Sequence, residues 1–379
     1  MAVSIDREIS ASEFEREIRG GRALTILDVR RADDFDAWHI DPGAATLISL
    51  PLEALQRDGL DPAEGDVRVI CSRGNSSLTA VAELARRGIE SLSVSGGMLA
   101  WGRLLTAERV DIGTGTGVTQ FRREARGCLS YLIDRDGAAL VVDPAPDPGA
   151  YLEHAQRLGA TITAVLDTHV HADHLSGARR LAAATGADLH LSPAALARGL
   201  TFPEAVSPVD DGDPIELGAA NVRVVGLPGH TGDNIGVLID GRALVAGDSL
   251  FVDAVARPDL EAGDAGAGDA ARTLHRTLRT AVLSLPDETV LLPCHYPGGR
   301  TGGPVVSTIG RARDRIAVLA LAEDAFVRAV LTEMPPRPAN YEQIIAANLG
   351  VDAPADAALL EVGANNCAAG PGTVAEGSA

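Results

Sequence analysis

The chain has 379 residues, of which 46% are apolar and 22% are charged. This length predicts two or three domains, and this composition is typical of a globular protein rather than a disordered one. The 33 basic residues are all arginine and are outnumbered by 52 acidic residues, so the net charge is −19. Such a chain is poorly suited to nucleic acid, because that affinity depends on neutralising phosphates. We expect a cytoplasmic protein without a membrane partner, since the sequence has neither a long apolar span nor a secretory signal.

Residues 1–108 alternate between strand and helix patterns. Ala23–Val29 and Val67–Cys71 are continuous apolar runs typical of buried strands, and Leu78–Arg87 has the spacing of an amphipathic helix. Repeated strand–loop–helix units predict a parallel sheet covered by helices. The glycine-rich segment 113–117 is a candidate linker to the next domain.

Residues 109–330 contain many short apolar runs with helical stretches between them, which favours two sheets with outer helices, an α/β architecture. The best-defined helical patterns are Leu175–Thr185 and Ala270–Ser284, and the acidic segment 258–269 is predicted to be a flexible loop. Residues 331–365 form a C-terminal extension with a predicted helix at Tyr341–Asn348. We predict that the small-residue tail 366–379 is disordered.

Histidines and aspartates recur at the ends of predicted strands in the second segment. The motif DTHVHADH occupies residues 167–174, and single residues follow in PGHT, AGDS and PCHY. Strand ends converge on one edge of a sheet, and imidazole with carboxylate suits zinc or iron. The sequence therefore predicts a metal site built from seven candidates: His169, His171, Asp173, His174, His230, Asp248 and His295.

This combination of THVHADH, PGHT, GD and a final histidine resembles the metallo-beta-lactamase superfamily. The resemblance implies an αββα sandwich with the metal site at one edge, and it leaves two chemistries open. In hydrolases of the glyoxalase II type, two zinc ions activate a hydroxide that attacks an acyl carbon. The first ion would be bound by His169, His171 and His230, and the second by Asp173, His174 and His295, with Asp248 bridging.

Persulfide dioxygenases of the same superfamily instead hold one Fe(II) with two histidines and one carboxylate. The stretch GDSLFVDAVARPDL, after the last predicted ligand aspartate, is similar to theirs. The resemblance implies that His169, His230 and Asp248 are the iron ligands. His171, Asp173, His174 and His295 would then orient ligands or move protons. It also assigns Arg257 to the anionic thiol and Tyr296 to the neighbourhood of the substrate.

The first segment carries a cysteine in VICSRGNSS, at residues 69–77. A strand delivers Cys71 to a tight loop before a helix, where N–H groups and the helix N-terminus favour a thiolate. Together with LDVRRADDFDAWHIDPGA and SGGMLAWG, this motif resembles rhodanese, in which the cysteine carries sulfane sulfur as a persulfide. The rhodanese loop often has an arginine five residues after the cysteine. Here Ser76 takes that position and Arg73 is the nearby cation that could bind an anion.

The whole chain resembles sulfur-oxidising fusions of the two families. It is interpreted as a persulfide dioxygenase that uses O₂ to convert a low-molecular-weight persulfide into sulfite and thiol, coupled to a sulfurtransferase domain. The alternatives are a dinuclear zinc thioester hydrolase and a non-catalytic sulfur-relay module that only docks partners. The family resemblance is consistent with a homodimer. Cys128 and Cys294 are assigned to packing, and Cys367 in the tail is assigned no role.

Overall fold

The first unit is built on a five-stranded sheet in which every strand runs parallel to its neighbours. The computed structural model describes residues 7–60, 65–202, 205–296, 303–332, 334–351, 360–361 and 367–369. The strands of this first sheet are β1 (Glu8–Ile9), β2 (Leu24–Asp28), β3 (Thr46–Ser49), β4 (Asp66–Ile70) and β5 (Ser91–Val94). Their spatial order is β1-β5-β4-β2-β3. Its helices are α1 (Ala11–Arg19), α2 (Ala32–Ala37), α3 (Leu52–Asp58), α4 (Asn75–Arg86) and α5 (Gly97–Arg103).

Local signals in the sequence account for several of these helices. Helix α1 begins with a capping box, in which the Ser10 side chain accepts from the Glu13 N–H and the Glu13 side chain accepts from the Ser10 N–H. Two apolar clusters cover the two faces of the sheet, one around Phe14 and Trp101 and the other around Leu55 and Leu84. This is the helix-covered parallel sheet that the alternating pattern predicts.

The second sheet has seven strands in the order β12-β11-β10-β9-β8-β7-β6. They are β6 (Leu105–Val110), β7 (Gly117–Arg123), β8 (Cys128–Arg135), β9 (Ala138–Val142), β10 (Thr161–Leu166), β11 (Asp188–Leu191) and β12 (Ser207–Pro208). Strands β6 to β9 pair antiparallel and β9 to β12 pair parallel. Because β6 pairs with β7, the glycine-rich segment 113–117 lies in a turn between them and is not an inter-domain linker. Strand β6 also crosses the predicted division between residues 108 and 109.

The third sheet has five strands in the order β13-β14-β15-β17-β18. They are β13 (Val222–Gly226), β14 (Ile235–Ile239), β15 (Ala243–Val245), β17 (Val290–Leu292) and β18 (Ser307–Thr308). Only β15 and β17 pair in parallel. A separate antiparallel pair joins β16 (Val255–Ala256) to β19 (Ala368–Ala369).

Helices cover the outer faces of the second and third sheets. They are α6 (Gly149–Leu158), α7 (Ala178–Thr185), α8 (Pro193–Ala197), α9 (Asp259–Thr277), a π-helical turn (Leu278–Val282), α10 (Ile309–Arg315), a 3₁₀ turn (Ala317–Ala320), α11 (Glu323–Thr332) and α12 (Tyr341–Asn348). Side chains alternate between the faces of each strand. In β14, Ile235 and Val237 enter the core between the sheets, whereas Leu238 packs on the α9 side. The layers are therefore αββα, as the sequence resemblance implies.

Two expectations about irregular segments are wrong. The acidic segment 258–269 is helical, because α9 starts at Asp259 and buries Ala267, Ala271 and Leu274 on one face, with a kink at Gly263. The tail is ordered at 367–369, because β19 pairs with β16 and Cys367 is only 1% exposed. Residues 370–379 lie outside the described residues. In the described part of the chain, no helix combines the length and apolar character needed to cross a bilayer.

Candidate metal centre and cysteine site

The seven predicted metal-site residues follow strands that end at one edge of the αββα sandwich. The 167–174 loop follows β10, and His230, Asp248 and His295 follow β13, β15 and β17. None of the seven residues is more than 3% exposed. The structure sorts them into three buried groups: His169 with His230 and Asp248, Asp173 with His174 and His295, and His171 apart with two other carboxylates.

The first group presents three polar atoms that lack a hydrogen-bond partner, His169 Nε2, His230 Nε2 and Asp248 Oδ2. Asp248 Oδ2 lies 3.5 Å from His230 Nε2 and 3.9 Å from His169 Nε2. Buried polar atoms are nearly always paired, so three unpaired ones side by side indicate a missing ligand. Two imidazoles and one carboxylate are a donor set that suits non-haem Fe(II), with positions left open. The three residues therefore fit a single metal ion.

Hydrogen bonds on the far side of each ring orient these two histidines. His230 Nδ1 lies 2.7 Å from the Arg257 carbonyl, and His169 Nδ1 lies 2.9 Å from Thr168 Oγ1. Such contacts fix the ring so that Nε2 faces the metal position. Burial, followed by the neighbouring His171 and His230, holds the pKa of His169 well below its usual value. His169 is therefore neutral, the form that binds a metal.

The second group, Asp173 with His174 and His295, is held together by close contacts among its own side chains. Asp173 Oδ1 lies 3.1 Å from His174 Nδ1, and Asp173 Oδ2 lies 2.9 Å from His295 Nε2. His295 Nδ1 lies 2.6 Å from Asp248 Oδ1, so it connects the two groups. Although burial opposes it, the Asp248 and Asp173 carboxylates raise the pKa of His295 well above its usual value. His295 therefore donates from Nδ1 to Asp248, whereas its Nε2 lies close to Asp173 without forming a hydrogen bond.

Cys128 belongs to the second group, which the sequence interpretation missed by assigning it to packing. Its Sγ lies 3.5 Å from Asp173 Oδ2, and one donor atom each of Cys128, Asp173, His174 and His295 lies within 4.8 Å of the others. Burial and Asp173 oppose ionisation of the thiol, but His174 and His295 bring the pKa of Cys128 to about 6. Cys128 lies at the start of β8 and pairs with His295 across an isolated bridge. No pattern in the sequence indicates that these two segments are neighbours.

His171 is held by a carboxylate that the sequence analysis did not single out. Its Nε2 lies 3.1 Å from Asp143 Oδ1, while its Nδ1 has no hydrogen-bond partner. Asp143 also accepts from the Thr168 N–H at 2.7 Å, from Thr168 Oγ1 at 2.9 Å and from Cys294 Sγ at 3.1 Å. It comes directly after β9, so the rule that polar residues at strand ends build the site could have found it.

Arg257 is not placed to hold an anionic thiol. Its guanidinium is 1% exposed and is paired with Asp259, at 2.7 Å and 3.0 Å, and with the Pro336 carbonyl at 2.9 Å. The Asp259 carboxylate therefore pairs with the guanidinium that the sequence resemblance assigned to the anionic thiol of the substrate. Arg257 acts on the metal centre through its backbone, because its carbonyl oxygen contacts His230.

Two further residues considered in the sequence analysis are buried in the structure. Tyr296 is 4% exposed and its hydroxyl donates to Glu124 at 3.4 Å, and its place beside the substrate stays a prediction. Cys367, assigned no role, places its Sγ within 4.8 Å of donor atoms of Asp248 and His295. Its carbonyl accepts from the Arg257 N–H at 3.0 Å.

Cys71 lies between β4 and α4, in the loop that the sequence predicts. The Gly74 N–H donates to its Sγ at 3.2 Å, and Ser77 Oγ lies 3.3 Å away. Gly74 has φ 93°, which a residue with a side chain rarely adopts. Cys71 is 4% exposed, whereas Arg73 in the loop and Ser76 in the first turn of α4 are exposed. This cradle of loop donors suits a sulfur-carrying cysteine.

Comparisons with known families agree with these two sites. The model of the rhodanese-like domain matches residues 10–104, and the model of the metallo-beta-lactamase superfamily matches residues 123–295. The matched ranges contain Cys71 in the first case and all seven metal-site residues in the second.

Curated relatives carry names from both chemistries. A beta-lactamase hydrolase-like protein of Xylella fastidiosa is 30% identical over 70% of this chain and 68% of its own length. A hydroxyacylglutathione hydrolase of Acidiphilium cryptum is 35% identical over 44% of this chain and 63% of its own length. The mitochondrial persulfide dioxygenase ETHE1 of Bos taurus is 28% identical over 66% of this chain and 96% of its own length.

Among solved structures, ETHE1 from Myxococcus xanthus has a TM-score of 0.53 and 26% identity, covering 65% of this chain and all of that one. The fold, the two matched domains and the Xylella relative lead to one assignment. The chain belongs to the metallo-beta-lactamase superfamily and carries a rhodanese-like domain ahead of its metallo-beta-lactamase domain.

Proposed function

We propose that this chain is a persulfide dioxygenase with an attached sulfurtransferase domain. The net reaction is RSSH + O₂ + H₂O giving RSH and sulfite. Its partners are then small molecules, a low-molecular-weight persulfide and O₂. The relatives named persulfide dioxygenase ETHE1 support this choice, since one of them matches over 96% of its own length.

The observation that carries the proposal is the difference between the two groups of ligand-type residues. His169, His230 and Asp248 each leave a buried atom without a hydrogen bond, whereas among Asp173, His174 and His295 only His295 Nε2 does so. Asp173 lies 3.1 Å from His174 and 2.9 Å from His295. A second metal ion would have to break these contacts of Asp173. The arrangement favours one ion over two.

Fe(II) bound by these three residues would supply a centre at which persulfide sulfur and O₂ react. Other residues of this chain would orient the proposed metal ligands and hold protons beside them. Thr168 and the Arg257 carbonyl fix the two histidine rings. His295 Nδ1 donates to Asp248 Oδ1, the oxygen that faces away from the histidine pair, and His295 Nε2 lies 2.9 Å from Asp173 Oδ2.

Cys71 would carry sulfane sulfur at a site separate from the metal centre. Its thiolate attacks the outer sulfur of a persulfide, forming a Cys71 persulfide, while the inner sulfur leaves as the thiol RSH and takes the proton. Transfer of that outer sulfur to sulfite yields thiosulfate and regenerates Cys71. Because Ser76 replaces the arginine of the rhodanese pattern, we expect thiosulfate to be a weak donor substrate.

A second candidate function is thioester hydrolysis with two zinc ions. It is favoured by the hydroxyacylglutathione hydrolase relative and by the presence of all seven ligand-type residues. In that reaction Asp248 would bridge the ions, and Asp173, His174 and His295 would exchange their mutual contacts for metal bonds.

Metal content and oxygen uptake test the two candidates together. Anaerobically purified, iron-loaded protein is given glutathione persulfide, and oxygen consumption and sulfite are measured, with Asp248→Ala as the inactive control. We expect one iron per chain, and the oxygen consumed should equal the sum of the sulfite and thiosulfate formed, because Cys71 converts part of the sulfite to thiosulfate. Two zinc ions per chain, fast cleavage of S-lactoylglutathione and no oxygen uptake would contradict the proposal.

A further inference from the structure

A cavity of about 850 Å³ lies where three parts of the chain meet. Its wall includes Arg103 at the end of α5, Leu105 at the start of β6, residues of α7, and Asn348 and Val351 around the end of α12. The rhodanese-like unit, the sandwich and the C-terminal extension therefore all contribute to it. Its size is in the range of about 300–1,000 Å³ that small-molecule sites occupy.

The cavity borders the loop that carries the metal-site residues. Asp167, His169 and Val170 line it, and they follow β10 at the edge of the sheet where the metal-site residues gather. His169 is one of the three proposed iron ligands, although its side chain is only 1% exposed. A molecule that occupies the cavity therefore lies against the loop that positions this ligand.

The described wall of the cavity carries more arginines than carboxylates. Among the residues described, four arginines and three carboxylates line the cavity: Arg103, Arg123, Arg179, Arg180, Asp147, Asp167 and Glu361. The carboxylates are engaged close by: Glu361 pairs with Arg123 at 2.8 Å, Asp167 accepts from Ser176 Oγ at 2.6 Å, and Asp147 accepts from the Gly149 N–H at 3.0 Å.

Arg103 comes from α5, and Arg179 and Arg180 come from α7. Arg103 and Arg180 are exposed, and the Arg179 guanidinium stacks on the Phe202 ring, 4.3 Å from its centroid. A guanidinium pairs with carboxylate or phosphate through two parallel hydrogen bonds. With four arginines and three carboxylates among its described residues, the wall carries an excess of positive charge in a chain of net charge −19, and this favours an anionic ligand.

We propose that this cavity binds the anionic carrier part of the persulfide substrate, with Arg103 and Arg180 contacting its carboxylate or phosphate groups. The inference rests on the proposed function for the identity of the substrate. It assigns a residue of the rhodanese-like unit, Arg103, to the substrate site of the metallo-beta-lactamase domain.

The test measures binding without turnover. Iron-loaded protein is titrated under argon with S-methylglutathione, which carries carboxylates, and with S-methyl-coenzyme A, which carries phosphates. The variant is Arg103→Glu with Arg180→Glu, and the matched control is Arg328→Glu, which changes an exposed arginine on α11 outside the cavity wall. Iron content is measured for each protein, to show that the centre is intact.

We expect one analogue to bind the wild type, which identifies the class of carrier, and the double variant to bind it about tenfold more weakly. The control should bind as the wild type does. Binding of neither analogue to the wild type would overturn the inference. Equal affinity in the double variant, or equal weakening in the control, would do the same.

Oxygen uptake separates this inference from the proposed function. If the arginine-dependent analogue binds but no persulfide consumes oxygen, the dioxygenase proposal fails and the anion site stands. If glutathione persulfide is oxidised with an unchanged KM in the double variant, the dioxygenase stands and the site fails. A higher KM for glutathione persulfide with an unchanged KM for the uncharged hydroxyethyl persulfide supports both.

Discussion

Asp248 divides its two carboxylate oxygens between a histidine and the proposed metal position. Oδ1 lies 2.6 Å from His295 Nδ1, and Oδ2 has no hydrogen-bond partner and lies 3.5 Å from His230 Nε2. One oxygen is therefore oriented by a neighbour while the other remains available as a ligand. This division distinguishes Asp248, a proposed ligand, from His295, which positions it.

Replacing these two residues should affect the metal in different ways. Asp248→Ala removes a ligand, so purified protein should contain almost no iron. His295→Ala leaves all three proposed ligands, so the variant should still bind one iron per chain, with about 10–100-fold weaker affinity because the carboxylate loses its orienting contact. Metal analysis and competition with a chelator measure both. A wild type that binds two ions, and loses one in His295→Ala, would contradict the assignment.

The sulfur-carrying site should be separable from the metal centre. Cys71→Ser removes the thiol that accepts sulfane sulfur, so thiocyanate formation from cyanide and a persulfide donor should fall to background. Oxygen uptake with glutathione persulfide should stay within about twofold of the wild type, because Cys71 contacts none of the seven metal-site residues among the hydrogen bonds described. Thiocyanate formation that survives in Cys71→Ser would contradict its role.

Gly97 should be essential for the shape of the Cys71 loop. A Cβ on this residue would lie 2.1 Å from the Cys71 carbonyl oxygen and 2.9 Å from the Arg73 nitrogen, at a φ of 57°. Gly97→Ala should therefore abolish sulfurtransferase activity and destabilise the first unit by about 2–4 kcal/mol. Gly88→Ala is the matched control, since Gly88 has φ 80° with nothing within 4 Å. Gly88→Ala should lower the free energy of unfolding by about 1 kcal/mol and keep sulfurtransferase activity. If urea unfolding shows that both variants lose the same stability, the steric argument is refuted.

A buried ion pair joins the end of β7 to the C-terminal extension, next to the metal-site loop. Arg123 and Glu361 are 2.8 Å apart with side chains 4% and 6% exposed, and Glu361 also accepts from the Leu175 N–H at 2.9 Å. Glu361→Gln leaves the arginine charge buried without its partner, which should lower the free energy of unfolding by about 3–5 kcal/mol. Arg123→Met with Glu361→Leu should recover much of this loss, and the exposed Glu53→Gln should change little. Chemical unfolding measures all three variants.

The same pair predicts a pH dependence. Although burial opposes it, Arg123 holds the pKa of Glu361 below its ordinary value of 4.5. The stability it contributes is therefore fully present above pH 4.5 and is lost as pH falls through the lowered pKa of the folded state. The difference in unfolding free energy between wild type and Glu361→Gln should shrink as pH falls below 4.5. A difference that is constant from pH 6 to pH 3 would show that the charge of Glu361 is not what stabilises the fold.

Much of the architecture could be predicted from the sequence because local patterns decide it. The apolar runs Ala23–Val29 and Val67–Cys71 coincide with β2 and β4 to within one residue at each end. Residues 258–269 are an exception, because their helix depends on a buried face of small residues against α11 and the third sheet rather than on local composition. Strand β19 is a second exception, because it forms by pairing with β16, which is far away in the sequence.

The sequence by itself determined which residue types would meet, since every one of the seven ligand-type residues follows a strand and strand ends share an edge. Only the tertiary structure decided how they divide. Whether Asp173 pairs with histidines, whether Asp143 takes His171, and whether Cys128 joins the group depend on distances of a few ångströms between segments far apart in the chain. Hydrogen bonds at such distances are set by packing of the two sheets, which no local pattern encodes.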